Sequence, residues 1–390
     1  MKKLIFLNSH PIQYFAPLYQ QITQGTNIPL EVWYCSDESI KGKLDKGFGT
    51  AVKWDIPLLQ GYAYQFLPND ARNPSIHGGL WGLKNKAVKD LLRKTEPSVI
   101  VVHGWAYYTH VRTLLTARRY GHRVCLRAET PWNQELLKNK AITWIKHWYL
   151  RFLFSRVSRF LYIGTQNKLF YRQLGVKETQ LLFTPYAVDN QRFQETDRTI
   201  TITDARKKLG LPLDKTIVLY SGKYIAKKRP LDLLKAIQPL PANVLVVLVG
   251  DGELRPELEK YIQEHQLQER VILTGFVNQS AIPLYYKAAD LFVMCSGLGE
   301  TWGLSVNEAM NFSLPVVVSE TCGSSYDLVQ PGINGWTFPT GDIAELTKTF
   351  QQFLSLSIEE RKKMGAASRK RIDEYGYDQI IEGLQQLINE

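Results

Sequence analysis

The chain has 390 residues, of which 44% are hydrophobic and 22% charged, enough for two domains of ordinary size and too long for one comfortable core. No apolar run reaches the roughly 18 to 20 residues of a membrane span, and the brief Leu4–Leu7 run after Lys2 and Lys3 ends at Asn8, Ser9, His10 and Pro11, so it predicts a buried first strand rather than a signal peptide. The net charge of +11 is uneven: residues 1–200 carry 28 Lys and Arg against 14 Asp and Glu, whereas residues 201–390 carry 20 against 23. A basic first half implies an anionic partner, with phospholipid head groups, a lipid-linked phosphate acceptor and nucleic acid as the chemical options.

In chain order, short β-rich runs alternate with amphipathic helical stretches, the pattern of parallel sheets with crossover helices on both faces. The first half predicts strands at KLIFLN, PLEVWYC, SVIVVHG, RVCLRAE and RFLYIG. Here His10 and Gln13 follow the first strand, His103 ends the third, and Arg127 and Glu129 lie at the end of the fourth. Residues 136 to 160, LLKNKAITWIKHWYLRFLFSRVSRF, hold six Lys or Arg, no acid and six aromatics. They fit an interfacial helix or a buried helix followed by a strand, with the buried form slightly favoured because the cations do not share one face. Lys86, Lys89 and Arg93 form a second basic stripe, with a solvated face as its default reading. No nucleic-acid module is present.

A boundary is expected near residues 193 to 212, where the chain is polar and ends in Gly-Leu-Pro. The predicted division is an N-terminal Rossmann-like domain over 1–195, a second over 196–375, and a closing helix over 376–390. The four cysteines, Cys35, Cys125, Cys295 and Cys322, show no metal or redox spacing and suit reduced, packed thiols in a cytoplasmic protein.

The second half predicts near-continuous apolar strands at TIVLYSG, NVLVVLVGDG, RVILTGF, LFVMCSG and PVVVSE. In open α/β sheets ligands bind beyond the carboxyl ends of the strands, so the residues after each strand carry the information. Lys223 and Lys228 follow the first of them and suit a phosphate. Gly250-Asp251-Gly252 allows close backbone approach, and the loop GLGETWGLSVNEAM brings amides near Gly303 and Leu304 to the start of a helix, where the dipole favours an anion. Glu300 and Glu308, in the same segment, suit the vicinal hydroxyls of a ribose or hexose. Cations for diphosphate, amides for phosphate and carboxylates for hydroxyls describe a nucleotide sugar.

The pieces SGKYIAKKRP, LVGDGELRPELE, ILTGFV, ETWGLSVNEAM and CGSSYDLVQPGINGWTF, over about residues 216 to 342, resemble the retaining GT-B glycosyltransferases of family four, the glycosyl transferases group 1. That resemblance implies two doubly wound Rossmann-like domains facing a cleft, and transfer of a hexose-type sugar from a nucleotide diphosphate donor to a glycan or lipid-linked acceptor in cell-envelope synthesis. It implies that Lys223 and Lys228 bind the diphosphate, Glu300 the donor hexose, Glu308 the ribose, and the main chain around Phe276 and Val277 the base. His103 would position donor sugar and acceptor, with His10, Gln13, Arg127 and Glu129 on the acceptor side. Two positions depart from the family: Lys223 stands where Arg is usual, losing bidentate geometry, and Asp327 where Glu is common. With no D-x-D motif and no His/Cys cluster, no metal or other cofactor is expected. Two alternatives stay open, an epimerase of nucleotide sugars on the same scaffold and a non-catalytic sugar or polyanion binder. The G-x-G-x-x-x-G spacing of GLGETWG also occurs in dinucleotide enzymes, but there it follows the first strand of the fold.

Overall fold

The computed structural model describes residues 2–42, 44–45, 50–51 and 53–390. It divides into two compact units: Met1–Lys43, Ile56–Pro185 and Tyr377–Glu390 form one, and Leu44–Asp55 with Tyr186–Gly376 form the other.

The first nine strands in chain order are β1 (Leu4–Asn8), β2 (Leu30–Tyr34), β3 (Leu44–Asp45), β4 (Thr50–Ala51), β5 (Ala63–Phe66), β6 (Val99–His103), β7 (Arg123–Arg127), β8 (Arg159–Tyr162) and β9 (Leu181–Phe183). All but β3 and β4, which pair as a small antiparallel ribbon in the second unit, form a parallel sheet ordered β5-β2-β1-β6-β7-β8-β9 among the described residues. β1, β6 and β7 are almost wholly buried because helices cover both faces, which is why they read as unbroken apolar runs. Ile5, Ile100, Val102, Val124 and Leu126 supply the sheet side of a core that Leu92, Leu114, Leu150, Leu153 and Phe170 close from the helices.

The second unit holds β10 (Thr216–Ser221), β11 (Val244–Val249), β12 (Val271–Leu273), β13 (Leu291–Met294), β14 (Val316–Ser319) and β15 (Gly335–Phe338) in a parallel sheet ordered β12-β11-β10-β13-β14-β15. Val218 lies opposite Val246 on one side and Leu291 on the other. The strand order reverses between β10 and β13. In the first sheet it reverses between β1 and β6, so each unit has one topological switch point at which exit loops diverge.

Two features differ from the sequence reading. The polar stretch at 193–212 is not a linker but most of two helices, Asn190–Thr199 and Ile202–Leu209, within the second unit. Asp189 and Thr201 cap their amino ends and left-handed Gly210 ends the second, while buried Arg206 donates to the Ala288 carbonyl at 2.9 Å and to Asp290 at 2.7 Å. Polar composition there reflects capping and one buried cation. Helix Tyr377–Asn389 packs on the first unit: the Tyr377 hydroxyl donates to the Tyr14 carbonyl at 2.8 Å, and Arg123 donates to the Leu387 carbonyl at 2.8 Å.

Candidate functional site

At the switch point of the second sheet the exits of β10 and β13 meet. The β10 exit carries Lys223, Lys227 and Lys228; its course is held by the Tyr220 hydroxyl, which donates to the Lys223 carbonyl at 3.1 Å. The β13 exit returns against it, with the Gly297 amide donating to the Lys227 carbonyl at 2.7 Å and the Lys227 ammonium to the Gly299 carbonyl at 3.3 Å. As a result the Lys228 ammonium and the Glu300 carboxylate form an ion pair, both largely buried. A cation for a phosphate oxygen and a carboxylate for a hydroxyl therefore occupy one spot.

Between Lys228 and Pro230, Arg229 sits in the left-handed region at φ 50°, uncommon for a residue with a side chain. Its guanidinium is tied to Asp232 at 2.5 Å. Strain of this kind persists where the surroundings over-determine it, and here it turns the chain from the cationic loop into helix Pro230–Ile237.

The β11 exit is pressed onto the β10 exit. Gly250 has φ 145°, its amide donates to the Gly275 carbonyl at 3.0 Å, and a Cβ there would stand 1.9 Å from the Gly222 carbonyl oxygen. Only glycine fits. Gly303, at φ 94°, begins helix Leu304–Met310, and a Cβ there would lie 2.5 Å from the Met294 sulfur. The first-turn amides of such a helix have no intrahelical acceptor.

Glu308 lies within that helix, buried, and accepts the Tyr286 hydroxyl at 2.6 Å. A buried carboxylate needs such a partner. Tyr286 is itself fixed by stacking on Phe312 at 5.7 Å. Glu308 is thus positioned from helix Ile282–Ala288, separately from the Lys228–Glu300 pair. Phe276 and Val277 are half-buried in the loop after β12. Asp327 is buried beside Tyr375, whose hydroxyl donates to it at 3.3 Å.

Sequence reasoning passed over one neighbour. Residues 53–55, distant in sequence, dock on the loop after β12: Asn278 donates to the Lys53 carbonyl at 2.8 Å, Asp55 accepts the Ser280 amide at 3.2 Å, and Trp54 meets Phe276 edge-to-face at 6.2 Å. No local pattern announces such a contact.

In the first unit, His103 and Arg127 are partners in the β6–β7 register at the carboxyl end of the sheet. Phe15 packs edge-on to His103 at 4.8 Å and lies under the Arg127 guanidinium at 4.8 Å, while Arg127 reaches Glu129 at 3.5 Å. Burial holds His103 well below the usual histidine range, and the neighbouring Arg127 and His110 add to it, so the imidazole is neutral at physiological pH. His103 Nε2 is buried without a hydrogen-bond partner. His10 lies in a different setting, bonded to Ser9 at 2.9 Å, and burial lowers its pKa to about 4 against the opposing charge of Glu38. Gln13 is half-buried on the loop before helix Ala16–Gly25. The structure brings His103, Arg127 and Glu129 together and sets His10 by Glu38. Among the described residues no group of three or more His, Cys, Asp or Glu side chains is placed to hold a metal ion.

The buried reading of residues 136–160, a helix followed by a strand, holds for the strand and for one side of the helix and fails for the other side. Helix Lys140–Phe154 buries Leu150, Leu153 and Phe154 but exposes Ile142, Trp144, Ile145, Trp148 and Phe152. No helix among the described residues is long and apolar enough to cross a membrane.

Residues 201–371 match the family described as glycosyl transferases group 1. Alpha-D-kanosaminyltransferase of Streptomyces kanamyceticus is 29% identical over 182 residues, covering 46% of this chain and 46% of that protein. The putative teichuronic acid biosynthesis glycosyltransferase TuaC of Bacillus subtilis is 33% identical over 141 residues, 36% of this chain and 33% of that protein. The chain thus spans less than half the length of these curated relatives. Anabaena HepE, solved in complex with UDP, superposes with a TM-score of 0.76 at 17% identity over 99% of both chains. The chain has the GT-B fold of two Rossmann-like domains, and the likeness to the group 1 glycosyl transferases lies in residues 201–371.

Proposed function

We propose that the protein is a retaining glycosyltransferase that moves a hexose-type sugar from a nucleotide diphosphate donor to a hydroxyl of a glycan or lipid-linked acceptor, in cell-envelope polysaccharide or glycolipid synthesis. The observation that carries this reading is the Lys228–Glu300 pair at the switch point of the second sheet, flanked by exit loops that only glycine can form. Lys223 and Lys228 draw the diphosphate, the amides at Gly303 and Leu304 take a phosphate oxygen, and Glu300 accepts hydroxyls of the donor sugar. Glu308 accepts the ribose hydroxyls, while the main chain at Phe276 and Val277, with Trp54 beside it, meets the base. The kinship with HepE makes UDP the first nucleotide to try.

In the reaction the bond from the anomeric carbon to the diphosphate breaks as the acceptor oxygen attaches on the same face. The acceptor proton passes to the leaving phosphate oxygen. Cations and amides stabilise the departing charge, which is where such a site lowers the barrier most, and no metal is required. Neutral His103 takes or gives a hydrogen bond to sugar and acceptor, and His10, Gln13, Arg127 and Glu129 orient the acceptor. The charge excess of the first half suits an anionic membrane surface at the cytoplasmic face, where lipid-linked acceptors are found.

The test is incubation of the purified protein with a panel of nucleotide sugars, with and without a lipid extract, in excess chelator. Release of nucleoside diphosphate and a product of unchanged anomeric configuration by NMR is the expected result. Strict Mn²⁺ dependence would refute the metal-free chemistry; free epimer formed without acceptor would replace transfer by epimerisation.

A further inference from the structure

Helix Lys140–Phe154 has two apolar sides. One carries Leu150, Leu153 and Phe154 and is buried in the first unit's core, where Phe154 packs on Phe160 at 5.0 Å. The other carries Ile142, Trp144, Ile145, Trp148, Tyr149 and Phe152, which are 38% to 69% exposed. At about 3.6 residues per turn these six fall on one continuous arc, opposite the buried face. A water-facing helix ordinarily puts its polar residues there, so the exposure of two tryptophans and four further large side chains needs a reason.

The arc is clamped in place. Glu135, fully buried at its side chain, accepts Lys138 at 2.6 Å, Lys146 at 2.8 Å and His147 at 3.2 Å, and Trp132 stacks on His147 at 5.8 Å. Burial opposes the Glu135 charge, but the bonds from Lys138 and Lys146 prevail and hold its carboxyl below the usual range. Asn139 caps the helix through the amides of Ala141 and Ile142. Glu135 is thereby consumed inside, and residues 136–160 contain no acid, so exposed Lys140, Arg151 and Arg156 border the arc uncompensated by any acid in that stretch.

We infer that helix Lys140–Phe154 seats the protein on an anionic phospholipid surface, with its aromatic arc in the head-group and upper acyl region and its bordering cations against lipid phosphates. Trp and Tyr suit that depth because each has an apolar ring and a polar edge, and cations at its rim add attraction to anionic lipid. A second copy of the chain is a poorer occupant, since a two-fold pairing of this face would bring the Lys140, Arg151 and Arg156 cations of one copy against those of the other. The helix also touches the candidate acceptor side: Trp105, two residues after His103, packs on Phe154 at 5.6 Å and stacks on Phe170 at 5.9 Å. The inference deepens the lipid-linked acceptor reading and rests on it for purpose, though binding is measurable without it.

The experiment is flotation of the whole protein with vesicles of phosphatidylcholine, with and without phosphatidylglycerol, at low and high salt, alongside the triple variant Trp144→Ser, Trp148→Ser, Phe152→Ser. The wild type binds the anionic vesicles and is quenched by bromine-labelled acyl chains. The triple variant, altered only at exposed positions and checked by circular dichroism, binds about a hundredfold more weakly. Its donor hydrolysis is unchanged, which separates this surface from the sugar chemistry. Absence of wild-type binding at low salt, equal binding by the variant, or a concentration-dependent dimer abolished by the variant without vesicle binding would overturn the inference. Vesicle binding without any sugar transfer would leave it standing and sink the proposed activity instead.

Discussion

The two units share one plan, a parallel sheet with a switch point, and furnish its rim in opposite ways. In the second unit the exit loops bring cation and carboxylate together and are locked by glycines that touch backbone. In the first, the corresponding rim is aromatic and largely shielded: burial keeps His103 uncharged, and the Arg127 guanidinium lies buried over Phe15 and reaches Glu129. On the proposed reading, the contrast teaches that the charged donor is met by a fixed polar frame and the acceptor by shape and packing.

The sharpest way to break this comparison is at the polar rim. Lys228→Ala and Glu300→Gln should each lower kcat/KM for sugar transfer by about a hundredfold to a thousandfold, measured as nucleoside diphosphate release; a loss below tenfold would remove this pair from the donor site. Gly250→Ala forces a methyl group onto the Gly222 carbonyl and should cost about 3 kcal/mol of stability, seen as a lower denaturation midpoint, with donor binding weakened in parallel. At the aromatic rim, His103→Ala should reduce kcat by about tenfold to a hundredfold while leaving donor affinity by calorimetry nearly unchanged. A matching loss of donor affinity would erase the distinction between the rims.

Acid should act on the first unit in particular. Burial lowers His10 to about 4 and His110 to about 3, and it depresses His103 as well, against about 6.5 in an unfolded chain. Below about pH 6.5 the unfolded chain therefore binds protons that the native one refuses, so stability falls as pH drops from there toward 3 to 4, by about 1.4 kcal/mol per pH unit for each histidine titrating. Thermal melts between pH 8 and 4 test this, and His110→Leu should flatten the slope. The smallest effect is expected at Trp54: its replacement by alanine should raise the donor KM only severalfold, because one aromatic edge beside the base is lost and the cation–carboxylate pair is kept.

The buried strands were legible because parallel strands covered on both faces must be apolar throughout, as VIVV and VLVVLV are. β5 and β9 were not, being short edge strands with mixed exposure, and neither was β15, which starts at a glycine. At the rim of the second sheet Lys228, Gly250 and Glu300 could be named from spacing after strands. What spacing cannot contain is contact between distant segments, and so Trp54 against Phe276 and Glu135 beneath Lys138, Lys146 and His147 went unseen. Helix Lys140–Phe154 was read as buried, because periodicity finds apolar positions and says nothing about whether both of two apolar sides meet the core. The 193–212 helices were missed for the converse reason: their polar composition resembles a linker, and the capping by Asp189 and Thr201 was the signal overlooked.

Helix Tyr377–Asn389 is made after the entire second unit yet belongs to the first, where Arg123 and Arg159 hold its end and Gly383 lies against the Phe183 carbonyl. On the ribosome, therefore, the earlier-made unit must wait, incomplete, while the later-made one emerges and closes around its own sheet. Maturation runs against the order of translation, and a nascent chain halted before residue 377 would carry a finished second unit and an unfinished first one.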